Sequence, residues 1–295
     1  MFFEIIKFYK KSNDLKNIEE NLTLDDFLKR EKMSKYFINY HIIPMVSAIW
    51  SMPPYEAKQM PLKFFLKFFQ NHGLFNLKNR PQWYTIKNRS RTYVKKILET
   101  ISGEYYKNYR INKISRLSNG VKVYYGGNNE FFDYDKVVIA THADEALSLI
   151  TDPTPEEKSI LANFKYKNNI AIIHTDETLM PKNKKAWSSW NSSVNKENTS
   201  ETSITYWLNL LQNLKTNKNI FLSLNPFLKI DPKKIISKVK FTHPYYDKEA
   251  LENQNRLKNI QNKKNLLFCG SYFGYGFHED GIKSSLEMIK SFNDR

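Results

Sequence analysis

The chain is poor in cysteine. Cys269 is the only one among 295 residues, which excludes an intramolecular disulfide framework and any multi-thiolate zinc site. A reducing cytoplasm is the expected compartment. Long apolar runs are absent too, for no stretch approaches the roughly 20 residues that a bilayer-spanning helix needs. The opening MFFEIIKFYKK is broken by Glu4 and Lys7 and lacks a small-residue cleavage site. It predicts the first turns of an amphipathic helix, not a signal peptide. Glycine is scarce: there are nine, and no three fall into G-x-G-x-x-G. Gly274 and Gly276 come closest, with Glu279 in the third position. These residues therefore carry no dinucleotide-binding βαβ fingerprint, which depends on backbone clearance that glycine provides. The six histidines form neither H-x-x-x-H nor H-E-x-x-H, so no metal is expected. No G-x-S-x-G occurs, and Cys269 ends an apolar run as an inert buried thiol would. Hydrolytic catalysis has no support.

Apolar residues make up 41% of the chain and aromatics 15%, enough to build a sizeable core and to argue against disorder. The net charge of +16 invites a nucleic-acid or anionic-membrane partner. The lysines, however, are spread along the whole chain, with clusters no longer than pairs such as Lys184-Lys185 and Lys233-Lys234. A general compositional bias outweighs a built basic face. Nucleic acid is disfavoured, and peripheral contact with an anionic membrane is the weaker partner reading.

Hydrophobic spacing predicts helices over 1–11, 24–37, 62–70 and 90–101, with Thr23 and Ser90 as N-caps. The prolines at 53, 54, 61 and 81 mark loops between them. From about 108 the pattern turns to strands. Runs at 109–117, 121–125 and 131–134 flank a hairpin turn at Gly126-Gly127-Asn128-Asn129, and KVVIA (136–140) reads as a short buried strand before a helix over 143–149. Further strands are expected at 169–174, 203–208, 220–224 and 235–242. The polar stretch 192–202 is expected to be a mobile loop.

Three stretches carry candidate chemistry. LLFCGSYFGYGFHEDGIKSS (266–285) reads as a strand, a glycine- and aromatic-rich turn, and a helix opening at Gly281. Its glycines let a flat ligand approach, and a helix start offers N–H donors; Glu279 and Asp280 serve equally well as simple capping carboxylates. His142 follows a buried strand, either as a ligand contact or as a cap on the next helix. MPLKFFLKFFQNHGLF (60–75) suits core packing, and also a membrane surface or an apolar tunnel.

Together with YHIIPMVSAIWSMPP (40–54), RPQWYTIKNRSRTYV (80–94), VVIATHADEAL (137–147), DPTPEEKSIL (152–161), HTDETLMP (174–181), AWSSWN (186–191) and TYWLNLLQNL (205–214), these blocks are ordered along almost the whole chain. In that order the sequence resembles the FAD-dependent oxidoreductases of the flavin-containing amine oxidase, phytoene desaturase and protoporphyrinogen oxidase superfamily. The branch it is most similar to holds predicted NAD/FAD-binding proteins related to the flavoprotein domain fused to plant cyclopropane-fatty-acid synthases.

The resemblance implies an α+β fold: a helical plus mixed-sheet substrate domain with an incomplete FAD-binding, Rossmann-like domain. Residues 1–105 would be the helical part of the substrate domain and 151–250 its mixed sheet, while 106–150 and 251–295 would belong to the FAD domain. The family's N-terminal βαβ segment would be lacking, leaving an exposed apolar edge or face. The implied cofactor is FAD, held weakly or not at all by this chain alone.

Gly270 and Ser271 match positions near the pyrophosphate and ribityl chain. Glu279, Asp280, Gly281 and Ile282 match the turn and helix start facing the isoalloxazine pyrimidine. Ile111 matches an adenine contact, and Ala140 and Thr141 lie near the ADP moiety. Where relatives have a glycine pair, Asn88 and Arg89 stand. Trp50, Trp83 and Tyr206 are candidates for an apolar substrate lining, and no residue stands out as a catalytic base.

The implied reaction is hydride transfer from an apolar, acyl-lipid-like substrate to flavin N5. The implied partners are that small substrate and a separate N-terminal nucleotide-binding chain. The alternative is a non-catalytic remnant or a subunit that completes a flavin site with another chain.

Overall fold

A computed structural model describes residues 1–12, 18–19, 21–127, 130–195 and 201–293. The chain begins with helices that each bury a stripe. In α1 (Phe2–Ser12) the buried side is Phe8, Tyr9 and Ser12. At α2 (Leu24–Arg30) Thr23 and Asp26 cap each other: Thr23 Oγ1 accepts from the Asp26 N–H at 3.2 Å, and the Asp26 carboxylate accepts from the Thr23 N–H at 3.2 Å. The helix predicted over 24–37 is broken. Lys32 adopts a φ of 51°, and Ser34 caps a new start by accepting from the Phe37 N–H. One turn, α3 (Lys35–Phe37), then runs through a wide π turn (Ile38–Ile42) into α4 (Ile43–Trp50).

Neither α4 nor α5 (Pro54–Gln59) was expected from the proline-rich spacing, yet proline is at home in a helix's first turn. In α6 (Leu62–Asn71), Leu62, Phe65, Leu66, Phe68 and Phe69 are buried while Lys63 and Lys67 stay exposed. Phe8 packs within 5.7–6.3 Å of Phe27, Phe37, Phe65 and Phe75, so the buried side of residues 60–75 contributes to the core. By contrast α7 (Arg91–Glu99) buries nothing, and its Ser90 makes no side-chain cap.

β1 (Ile111–Leu117), β2 (Gly120–Tyr125) and β3 (Glu130–Tyr134) form an antiparallel meander. Of the predicted hairpin turn, Asn128 and Asn129 lie outside the described residues, and Gly126 takes a φ of 66°. β4 (Val137–Ile139) leads to α8 (Ala143–Leu149) and α9 (Pro155–Leu161). Fully buried Glu157 caps Thr154 at the start of α9 and also receives the Arg116 guanidinium, whose other nitrogen reaches the Asp152 carbonyl at 2.9 Å.

β5 (Lys165–His174), β6 (Trp190–Val194), β7 (Thr202–Trp207), β8 (Phe221–Leu224) and β9 (Ile235–Tyr245) form a five-stranded sheet in the order β6-β7-β8-β5-β9, with the single turn α10 (Leu208–Leu211) after β7. The strand β6 was unforeseen because WNSSV has no apolar alternation. It occupies the first part of the expected 192–202 loop, and residues 196–200 lie outside the described residues. After α11 (Lys248–Gln254), β10 (Leu266–Phe268) pairs in parallel with β4, Leu266 opposite Val137 and Phe268 opposite Ile139. Gln261 stands in for a neighbouring strand by bonding both the N–H and the carbonyl of Phe268. The last helix is α12 (His278–Asn293).

The chain divides into two compact units. One comprises Met1–Ile101 with Lys167–His243, and the other Ser102–Tyr166 with Pro244–Arg295. The core of the second is built by Ile114, Val121, Ile139, Leu266, Phe268 and Tyr272 among others.

Candidate functional site

The glycine-rich corner lies in the second unit, between β10 and α12. Beyond Phe268 the chain turns at Gly270, with a φ of 157°. A Cβ there would come within 2.7 Å of the Tyr272 ring, so no larger residue fits without a shift. Gln254 clamps the turn by donating to the carbonyls of Tyr272 (3.0 Å) and Gly274 (2.6 Å). Asp280 accepts from the Phe277 N–H at 3.0 Å. Its carboxylate fills the space beside Gly274, where a Cβ would lie 2.2 Å away. Gly276 has a φ of 95° and abuts the Tyr246 hydroxyl. Three of these glycines are thus demanded by the chain's own packing.

Gly281 is different. A Cβ there would meet nothing nearer than the Ser271 nitrogen, 3.9 Å away. The open space above it is a shallow cleft of about 330 Å³, whose lining includes Ala140, Gly270, Ser271, Gly281 and Ser285. Ala140 also borders a second cleft of about 350 Å³, along β4 and β1, with Ile111, Val138 and Thr141 in its wall. So of the nine predicted cofactor contacts, Gly270, Ser271, Gly281 and Ala140 share one cleft, and Ile111, Thr141 and Ala140 share the other. Glu279, Asp280 and Ile282 line neither cleft.

One expectation is corrected. The helix opens at His278, three residues before Gly281, because Asp280 caps it there. The N–H groups of Asp280 and Gly281 are therefore spent on the Phe277 carbonyl, at 3.0 and 3.2 Å, and are not free donors for a ligand. His142 takes the structural alternative: it precedes α8 as its cap, and its ring stacks on Tyr166 at 4.2 Å and 12°.

Burial pushes the hydroxyls of Tyr246, Tyr272 and Tyr275 above the usual tyrosine range, so they stay protonated at neutral pH. Among the described residues no three His, Cys, Asp or Glu side chains converge on a metal position, and no helix is long and apolar enough to cross a membrane. What the corner can do is hold a flat group between bare backbone and an apolar wall.

The first unit houses the remaining candidates. Trp50 is buried against Phe64 and Phe68, at 5.9 and 4.8 Å. Trp83 is 65% exposed. Tyr206 donates its hydroxyl to the Ala48 carbonyl at 3.2 Å and packs edge-on to Trp190.

HTDETLMP forms a buried polar hub. Asp176 accepts from the N–H groups of Thr178 and Asp231 and from Lys234 Nζ. His174 Nδ1 accepts from the Asp176 N–H at 3.1 Å, which leaves Nε2 as the donor toward Ser223 Oγ at 2.9 Å. A histidine in that tautomer cannot take the serine's proton, so this is structure and not a nucleophilic pair.

Sequence reasoning missed a cavity of about 460 Å³ in the same unit, walled by Ser47, Met52, Glu56, Lys167, Asn169 and Phe227 among others. Its only signal was the irregular Ser51-Met52-Pro53-Pro54 stretch, where Ser51 takes a φ of 54°.

No family model matches the sequence, and no curated protein matches it. Solved structures do. The fold is similar to that of a CLA-producing fatty acid isomerase from P. acnes, at TM-score 0.65 and 12% identity over 99% of this chain and 74% of that one. It is similar to wild-type putrescine oxidase bound to putrescine, at TM-score 0.68 and 8% identity over 100% and 76% of the two chains. Cyclohexylamine oxidase from Brevibacterium oxydans IH-35A aligns at TM-score 0.61 and 10% identity over 99% and 74%. At such identities the likeness is one of fold.

Proposed function

We propose that this chain is part of an FAD-dependent oxidoreductase of the amine oxidase type. The observation that carries the reading is the pair of clefts meeting at Ala140, on a fold similar to putrescine and cyclohexylamine oxidases. The space over Gly281 is not claimed by the chain's own packing, which is what a bound flat group requires. When bound, flavin supplies the redox chemistry, accepting hydride at N5 from an apolar, acyl-lipid-like substrate.

The chain's own residues hold and exclude. Gly270 and Gly281 let the cofactor approach the backbone, Ser271 and Ser285 line the polar side, and Ile111, Val138 and Ala140 keep water from the other. The helix end that grips a pyrophosphate is not encoded in these 295 residues. Tight binding is therefore expected to need a nucleotide-binding segment from outside them, and the isolated chain to bind FAD weakly.

The test is the visible absorption of the purified chain after incubation with FAD and desalting. A colourless protein, with flavin retained only when a dinucleotide-binding partner chain is added, supports the reading. Flavin bands that survive desalting without a partner overturn the need for a further segment. No flavin binding under any of these conditions favours the alternative, a non-catalytic remnant.

A further inference from the structure

The first unit carries a surface that the flavin reading does not use, and independently of that reading we propose that residues 77–101, with α7 near their end, dock on the anionic face of a lipid bilayer. α7 buries no residue, although its apolar residues are spaced for one face. Val94 and Ile97, with Ile101 just past the helix end, recur at three- and four-residue intervals and stay 43%, 51% and 51% exposed. A helix of nine residues is marginal in water without a packed face to support it, so this face is expected to meet something. The loop before it is equally bare: every residue from 76 to 91 is exposed, Trp83 and Tyr84 among them. That loop is nonetheless tied to the helix. Thr92 donates its hydroxyl to the carbonyls of Lys87 and Asn88, at 3.3 and 3.2 Å, and the Arg89 N–H bonds the Ile86 carbonyl at 2.9 Å.

Charge chooses the occupant. Residues 77–101 carry seven Lys or Arg and a single acid, Glu99, all of them exposed, so +6 of the chain's +16 falls on 25 residues. The even spread of lysine hides this concentration, because three of the chain's eight arginines, at 80, 89 and 91, help to make it. Glu99 is itself answered by Lys95, 3.7 Å away in a surface pair. A second copy presenting the same face would set like charge against like. An anionic bilayer meets every part of the surface at once. Its headgroups attract the cations, and its interfacial zone suits Trp83 and Tyr84, whose rings join an apolar body to a polar tip. The stripe of Val94, Ile97 and Ile101 then sinks to the acyl boundary, as the apolar face of an interfacial helix does.

The test is co-sedimentation of the purified full chain with vesicles of phosphatidylcholine, alone or with about 30% phosphatidylserine. Affinity for the anionic vesicles is expected to exceed that for the neutral ones about tenfold, and to fall by a similar factor as salt rises from about 50 to about 500 mM. Ile97→Asp and Trp83→Ala, both at exposed positions, should each weaken binding about tenfold and leave the unfolding midpoint in place. Lys87→Gln with Lys96→Gln should cost more than Lys182→Gln with Lys185→Gln, which removes the same charge elsewhere on the unit. No binding to the anionic vesicles overturns the proposal, as does binding that Ile97→Asp and Trp83→Ala leave intact. Equal losses from the two lysine pairs would mean net charge alone and overturn it too. Equally tight capture by immobilised poly-glutamate would give the face to an acidic polymer in place of a bilayer. A lipid-free dimer that Ile97→Asp dissociates would give it to a second copy.

Discussion

Asn88 and Arg89 are two neighbouring non-glycine residues in a conformation that favours glycine. Both take positive φ, 62° and 71°, in the region glycine enters freely, and the family resemblance puts a glycine pair there. Asparagine tolerates this conformation, whereas arginine carries a Cβ penalty of about 1–2 kcal/mol. Glycine would relieve that strain but returns about 0.5–1 kcal/mol through the entropy of the unfolded chain. Arg89→Gly is therefore expected to stabilise the fold by about 0.5–1 kcal/mol, and Asn88→Gly to change it by a few tenths. Urea unfolding of the two variants checks this, and a loss of stability in Arg89→Gly would show that its side chain does more than point outward. The sequence named both positions; only the dihedrals show that both take positive φ.

At the scale of elements, helices and strands with strong periodicity were legible and capped interruptions were not. The stretch 24–37 has continuous apolar spacing, yet Lys32 and Ser34 split it, because a local cap outweighs a periodic pattern. The last helix shows a different error: its apolar periodicity was visible, but Asp280 moves its start back to His278.

That helix also keeps Ile282, Leu286 and Ile289 exposed on one side, at 46%, 58% and 51%, while Ser284 and Met288 are buried on the other. If this stripe makes no contact in the folded chain, Leu286→Lys should change stability by no more than about 0.5 kcal/mol, as surface substitutions do. Denaturant midpoints decide it. A loss well above that would mean that Leu286 is packed.

For the whole molecule, the buried histidines and the Asp176 hub set the response to acid. Burial holds His174 below the usual histidine range, against the pull of Asp176, and burial lowers His41 as well. Asp176 sits below the usual carboxylate range: burial opposes this, but the N–H groups of Asp231 and Thr178 and the Lys234 ammonium prevail. All three pKa values are lower in the folded than in the unfolded chain, so the unfolded state binds more protons in acid. The histidine contribution is complete above about pH 6.5 and is lost as pH falls below it; that of Asp176 is lost below about pH 4. Each extra proton costs about 1.4 kcal/mol per pH unit. The melting temperature should therefore fall between pH 7.5 and pH 5. A flat or rising profile would contradict this, and the +16 charge, which grows in acid, works in the same direction.

The sequence by itself determined the helical first hundred residues, the meander, the strand–glycine–helix corner and the absence of a dinucleotide fingerprint, because periodicity, turn chemistry and glycine spacing are local properties. Tertiary structure alone decided which distant residues meet. It joined Ile111, Ala140 and Thr141 along one cleft and Ala140, Gly270, Ser271 and Gly281 along another. It also brought Glu56 to Lys167 across 111 positions, leaving one carboxylate oxygen unmatched. No local pattern records such pairings, since burial and charge compensation arise only when separate segments pack.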